Sequence, residues 1–339
     1  GHIIIGGNSG SAYSRIYQNN NGQFMEINAN LDGAWYPNFE WGDYDNDGDL
    51  DIFSTGSPSP IYNTGDSNIY KNNNGNFIKI NTTIKDVGGA SIDWGDYDND
   101  GDLDLLLTGT SESLYDREII SKIYRNDGKD NFVDINAPFQ EVFQGDAKWG
   151  DYDNDGDLDV LLVGVEKEQL IPFLKIYKNE KGKFIDTMIT LKRRGFSSGV
   201  EWGDYDNDGD LDILMDSRIY KNILNNPNSP PSPPKNFKLS ISSGQEVAFS
   251  WDAPMDDHTP SEGLTYNLMV GTTPKGIDIE SPMANQKGWR KIVAMGSQNQ
   301  NTVWKIKDLP NTNPIYGCVQ AIDSAFTGSE WNCRMASEK

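Results

Sequence analysis

One eleven-residue string constrains this chain more than any other feature. Trp-Gly-Asp-Tyr-Asp-Asn-Asp-Gly-Asp-Leu-Asp occurs four times without a change, at Trp41–Asp51, Trp94–Asp104, Trp149–Asp159 and Trp202–Asp212. Successive tryptophans are 53, 55 and 53 residues apart. A fixed period of this size means one supersecondary unit, repeated and stacked on itself. Two further landmarks keep the same phase. Ile-Tyr-x-Asn starts at Ile16, Ile69, Ile123, Ile176 and Ile219, and a Phe follows a turn at Phe24, Phe77, Phe132 and Phe184.

Each unit therefore reads in one order: acidic string, apolar run, Ile-Tyr-x-Asn, turn, Phe strand. The apolar runs Leu50–Phe53, Leu103–Leu107, Leu158–Val163 and Leu211–Met215 are short, aliphatic and bounded by Asp or Gly, as buried strands are. Asn74-Gly75, Asp127-Gly128 and Lys181-Gly182 are hairpin signals. For one unit the expected strands are Asp93–Gly95, Leu103–Thr108, Ser121–Asn126 and Asn131–Asn136. Four-stranded units at this period are the signature of propeller blades. The fold class is all-β, with three complete blades and two partial ones. The first unit has Ile3–Gly6, an Ile-Tyr strand and a Phe strand but no acidic string, and the last lacks a Phe strand. His2 falls where the other copies carry their last Asp; Gly1-His2 reads either as a cloning remnant or as the end of lost upstream sequence. An arc of this kind is expected to be open, or finished by other sequence or further copies, because bare strand edges invite aggregation.

Charge narrows the partners. The 339 residues carry 29 Lys+Arg against 51 Asp+Glu, a net charge of −22. Nucleic acid is disfavoured, since its binders need a basic footprint. No apolar run approaches the roughly 20 residues that span a bilayer. The N-terminal apolar run is too short for a signal peptide.

The strings hold 20 Asp, nearly the whole net charge. Within a string, Asp at positions 1, 3 and 5 with Gly at 6 opens like a Ca²⁺ loop, a site for a hard ion that takes six to eight oxygens. An EF-hand needs Glu at position 12. Ser54, Leu107, Leu162 and Met215 stand there, so an EF-hand is excluded. Asp at position 9 can close the site instead. The expected ligands are the side chains of Asp43, Asp45, Asp47 and Asp51 with the carbonyl of Asp49. The second set is Asp96, Asp98, Asp100, Asp104 with Asp102; the third Asp151, Asp153, Asp155, Asp159 with Asp157; the fourth Asp204, Asp206, Asp208, Asp212 with Asp210. Four structural Ca²⁺ ions are expected.

On these residues, roughly 1–224 resembles the FG-GAP/VCBS repeats of integrin-like β-propellers. The resemblance implies a calcium loop between the first and second strands of each blade. The string itself resembles those of secreted and surface proteins of Bacteroidetes and allied bacteria, which implies an extracellular or cell-surface location.

Residues 225–234 are a Pro-rich spacer, and 235–339 form a second domain of alternating strands: Phe237–Ile241, Glu246–Trp251, Thr265–Val270, Thr302–Ile306, Ile315–Ile322 and Glu330–Met335. Phe249-Ser250-Trp251, Tyr266 and Leu309 ahead of Tyr316 resemble a fibronectin type III domain. Trp251 reads as core, and the four repeat tryptophans as packing between blades. Cys318 and Cys333 are equidistant from the middle of a turn over Asp323–Gly328, so they should face each other and form a disulfide.

The function expected is a non-catalytic extracellular binding or adhesion module for a surface protein or glycan. One alternative is a structural subunit of a surface assembly. Another is a polysaccharide lyase, for which Arg193-Arg194 and Tyr115-Asp116-Arg117 are the thin candidates. Specificity is expected in the inter-blade loops Ser57–Asp66, Thr110–Ile119 and Val165–Ile171, which differ most between units.

Overall fold

In the computed structural model the aliphatic runs become strands that are buried on both faces. The structure describes residues 2–8, 11–20, 22–59, 65–111, 118–166, 171–192, 199–224, 226–241, 246–307, 309 and 314–336. The lyase candidates Tyr115, Asp116, Arg117, Arg193 and Arg194, and the middle of each variable inter-unit loop, lie outside them.

Among the described residues there is no helix. Strands β1 (His2–Asn8), β2 (Ala12–Asn20) and β3 (Gln23–Ile27) form the first sheet. The second is β4 (Trp35–Gly42), β5 (Asp51–Ser57), β6 (Asp66–Asn73) and β7 (Asn76–Ile80). The third is β8 (Gly88–Gly95), β9 (Asp104–Ser111), β10 (Glu118–Asn126) and β11 (Phe132–Asp134). The fourth is β12 (Val142–Gly150), β13 (Asp159–Glu166), β14 (Pro172–Glu180) and β15 (Lys183–Lys192), and the fifth β16 (Val200–Gly203), β17 (Asp212–Met215) and β18 (Arg218–Tyr220). All five are antiparallel meanders in chain order, and none closes into a barrel.

The sheets stack face to face. The first strands contact one another in sequence, β4 with β8, β8 with β12 and β12 with β16. Side chains alternate along a strand. Leu105 and Leu107 of β9 therefore enter the core shared with the second sheet, whereas Leu106 enters the core shared with the fourth. A strand buried on both faces needs an unbroken aliphatic run, and that is why these runs do not alternate with polar residues.

The tryptophan of the second, third and fourth strings packs on the glycine of the string before it. A Cβ on Gly42 would lie 2.8 Å from Trp94, on Gly95 2.7 Å from Trp149, and on Gly150 2.6 Å from Trp202. The string tyrosine stacks on the next unit's indole: Tyr97 and Trp149 lie at 6.2 Å and 7°, with Phe184 against both. Gly95→Ala is expected to cost about 2 kcal/mol by overpacking. Gly203→Ala, whose added Cβ would meet nothing within 4 Å, should be near neutral. Equal urea midpoints for the two variants would refute this packing account.

Two expectations need adjusting. Asn74-Gly75 and Lys181-Gly182 have both residues at positive φ, as two-residue hairpins require, but Asp127-Gly128 belongs to a longer loop in which Asn126 pairs with Phe132. β8 begins at Gly88, well before Asp93. The pairing slips by a bulge between Gly88 and Ser91, with Gly89 at φ +57, and a bulge breaks the two-residue pattern that marks a strand.

Beyond the spacer, β19 (Lys235–Ile241), β20 (Val247–Asp252), β21 (Thr265–Gly271), β22 (Val303–Ile306), β23 (Tyr316–Ile322) and β24 (Asn332–Met335) form two three-stranded sheets, β19-β20-β22 and β21-β23-β24. They share one core, in which Trp251 meets Tyr266 edge-on. Cys318 and Cys333 are directly paired in the register and form a disulfide. With the cysteines 15 residues apart in sequence, reduction should cost this unit about 3 kcal/mol on the chain-entropy model. Melting curves with and without reductant test this; superimposable curves would refute it.

Candidate metal centres

Each acidic string forms the loop between the first and second strands of its sheet. Two positions need the left-handed conformation, and the sequence supplies residues that tolerate it. Position 4 is Asn at φ 56, 58, 55 and 59, and position 6 is Gly at φ 92, 94, 95 and 92. The curl turns the backbone amides of positions 5 and 6 onto the position 1 carboxylate. Asp47 N donates to Asp43 Oδ1 at 3.1 Å and Gly48 N to Asp43 Oδ2 at 2.9 Å, and the other three loops repeat both bonds.

Position 9 lies at the start of the second strand. Its Oδ2 accepts from the position 2 amide, as from Tyr152 N to Asp159 at 3.0 Å. Its Oδ1 accepts from the backbone amide of the Ile-Tyr-x-Asn asparagine, from Asn179 N to Asp159 at 2.7 Å. Positions 1, 3 and 9 thereby converge, with one carboxylate oxygen of each within 4.8 Å of the others. The four clusters are Asp43–Asp45–Asp51, Asp96–Asp98–Asp104, Asp151–Asp153–Asp159 and Asp204–Asp206–Asp212.

The position 5 carboxylates Asp47, Asp100, Asp155 and Asp208 lie outside these clusters, each accepting the position 7 amide instead. The position 7 side chains of loops 2 to 4 face the preceding loop. Asp102 accepts from Asn46 Nδ2 at 2.7 Å, Asp157 from Asn99 at 3.1 Å and Asp210 from Asn154 at 2.9 Å; Asp49 accepts from Asn74 N at 2.7 Å. That arrangement suits a position 7 residue that offers an ion only its carbonyl.

Burial dominates the electrostatics. Asp51, Asp104 and Asp159 are fully buried. Desolvation, reinforced by neighbouring carboxylates, pushes Asp43 up to about 6 and Asp51 to about 8, and holds Asp104 and Asp159 well above the carboxylate range. One carboxylate oxygen on each of Asp45, Asp98 and Asp153 is buried without any hydrogen-bond partner, which is costly unless something binds it. The other oxygen of Asp45, Asp153 and Asp206 meets an ammonium, from Lys71, Lys178 and Lys221. The donor set is oxygen only and converges on one point, and a single lysine offsets only part of its negative charge in three of the four loops. The set fits a hard divalent cation.

Sequence reasoning saw the Ile-Tyr-x-Asn asparagine without its role. Asn126 Nδ2 donates to Tyr44 O at 2.7 Å, Asn179 to Tyr97 O at 2.7 Å and Asn222 to Tyr152 O at 2.7 Å. Each asparagine thus fastens its own loop to the loop of the preceding unit. Its recurrence in all five copies was the available signal. A cavity of about 400 Å³ lies beside the loops, between the four repeat tryptophans and residues 292–297.

A model of the FG-GAP-like repeat matches residues 151–215, which take in the third acidic string from Asp151 onward and the whole of the fourth. No curated protein matches the chain. Among solved structures, a fungal alcohol oxidase of the AA5 family in complex with copper aligns at 9% identity and a TM-score of 0.27, covering 99% of this chain and 95% of that one. A eukaryotic initiation factor aligns at 9% identity and a TM-score of 0.25, covering 97% and 86%. Likeness this low carries no argument about fold or function. The repeat, the disulfide and the all-β sheets are compatible with an extracellular protein. Among the described residues no helix is long and apolar enough to cross a membrane.

Proposed function

We propose that this chain is a non-catalytic, extracellular binding or adhesion module. Its repeated sheets are β-propeller blades of the FG-GAP/VCBS type, each of the four loops holds one structural Ca²⁺, and the C-terminal unit is a fibronectin type III-like domain. The observation that carries this reading is the use made of the acidic clusters. Their buried carboxylates gather backbone amides of the loop, and from the start of the second strand tie the loop to the third strand. Groups spent in this way build a framework for display. The ligand proposed is a surface protein or glycan, met through the inter-unit loops.

A glycan array combined with a pull-down from the native cell surface tests the proposal, with Ca²⁺-dependent retention of a defined ligand expected. Turnover of a polysaccharide by the purified chain would overturn it in favour of an enzyme. The three-stranded sheet β16–β18, which the chain leaves for the spacer, favours a second reading, a subunit of a surface assembly in which this sheet is completed by another copy. A particle mass in solution that is a multiple of the chain mass would select it.

A further inference from the structure

We propose that the C-terminal unit docks on the acidic loops as their outer shell, so that Asn301 and Ser324 raise the cation affinity of the first and third loops while the fourth loop empties first. The inference rests on the reading of the loops as Ca²⁺ sites. It concerns three contacts made at the same loop position from a distant part of the chain. Asn301 Nδ2 donates to Asp43 Oδ2 at 2.9 Å, Gln300 Nε2 reaches Asp96 Oδ2 at 3.5 Å, and Ser324 Oγ donates to Asp151 Oδ2 at 2.7 Å. The backbone also takes part, with Asp151 N donating to Ser324 O at 3.3 Å. Among the described residues, Asp204 of the fourth loop accepts only from its own loop. Its cluster is also more open, with Asp206 exposed where Asp45, Asp98 and Asp153 are half-buried.

The donors are held before they meet the loops. Asn301 ends a turn tied to β21 by Gln298 N donating to Tyr266 O at 3.0 Å, and its own amide also donates to Gln298 O at 3.2 Å. Ser324 lies in the β23–β24 turn, where its hydroxyl meets Thr259 Oγ1 at 2.9 Å. Apolar contacts seat the unit between them. Phe326 packs into the core around Trp202 and Leu211, and Met295 packs against two of the inter-sheet cores.

Lone-pair accounting gives these contacts a direction. A carboxylate offers about four acceptor sites. On Asp43, Oδ2 accepts from Gly48 N and Asn301, while Oδ1 accepts from Asp47 N alone. On Asp151, Oδ2 accepts from Gly156 N and Ser324, and Oδ1 from Asp155 N alone. In both loops the outer donor fills the second site on Oδ2 and leaves the free one on Oδ1, so the carboxylate is aimed before the ion arrives. Removal of such an outer-shell partner typically weakens a metal site about 10–100-fold.

The experiment is calorimetric Ca²⁺ titration of the full chain after chelation, for the parent, Asn301→Ala, Ser324→Ala and Ser324→Thr. The parent should show one site distinctly weaker than the rest. Each alanine variant should weaken one tight site by at least about tenfold and leave the others unchanged, and Ser324→Thr should restore the parent isotherm because the hydroxyl is kept. Melting without Ca²⁺ separates loss of fold from loss of affinity: the variants should melt like the parent there. Four equal sites, insensitive to both alanine substitutions, would overturn the docking inference alone. An absence of any Ca²⁺ binding would overturn the reading of the loops and this inference with it.

Discussion

Stripping Ca²⁺ from the chain at neutral pH should lower its melting temperature by roughly 20 °C or more. A ligand held at a hundred times its dissociation constant stabilises the folded state by about 2.7 kcal/mol per site. Four such sites contribute on the order of 10 kcal/mol, and each kcal/mol is worth about 2–4 °C in a domain of about 150–250 residues. The pH dependence has a definite sign. Without the ion, burial holds Asp43 at about 6 and Asp51 at about 8, above the ordinary value of 3.8. A raised carboxylate favours the folded state while protonated. That contribution is complete below the unfolded pKa and is lost as pH rises through the folded one. The ion-free chain should therefore become less stable from about pH 4 to pH 8. With Ca²⁺ present the trend should reverse, because ion and proton compete for the same oxygens. Scanning calorimetry at several pH values, with Ca²⁺ and with chelator, provides the check. Coincident melting curves with and without the ion would show that the loops are stable as bare acidic turns.

The repeat made much of this legible beforehand. A string that recurs unchanged four times fixes the unit, and its phase with Ile-Tyr-x-Asn places the strands on either side. In the C-terminal unit, β20 and β23 fall within a residue or two of the apolar runs around Phe249 and Val319, β20 by its alternation and β23 as a short run buried almost throughout. Cys318 and Cys333 face each other in the outer part of the hairpin, although its turn end pairs one residue out of step, Ile322 with Gly328.

What was not legible depended on distance or on exceptions to local pattern. The bulge that shifts β8 between Gly88 and Ser91 conceals half of that strand. Asn46 clasps Gly101 and Asp102 of the next loop, a contact between copies that a single copy does not encode. Position 5 reads as a ligand from its spacing, and the folded loop gives one of its oxygens a further task that spacing does not show, accepting the position 7 amide. The contact between Asn301 and Asp43 joins residues 258 apart in sequence, and nothing near either residue signals it.

Asn179→Ala should be among the most damaging single substitutions in the repeat region, at about 4 kcal/mol. The side chain is fully buried. Its amide donates to Tyr97 O of the preceding loop at 2.7 Å and to Leu158 O at 3.1 Å, and its oxygen accepts from Gly182 N at 2.7 Å. Alanine would leave two buried carbonyls and a turn amide without these partners, and each unsatisfied group costs about 1–3 kcal/mol. The second unit holds an internal control. Asn72 occupies the same place in its own sheet and keeps the bonds to Leu50 O at 3.0 Å and from Gly75 N at 2.7 Å. The first sheet brings no acidic string to it, so its amide has no preceding tyrosine carbonyl to hold, and it is only half-buried. Asn72→Ala should therefore cost about 1 kcal/mol, the net worth of an ordinary hydrogen bond. Asn179→Asp keeps the shape and the acceptor but turns a carboxylate oxygen onto two carbonyls beside Asp159, so it should be no milder than alanine at neutral pH. Urea midpoints for the three variants decide the matter: a loss at Asn179 no larger than at Asn72 would mean that the fastening between successive loops contributes nothing to the stability of the stack.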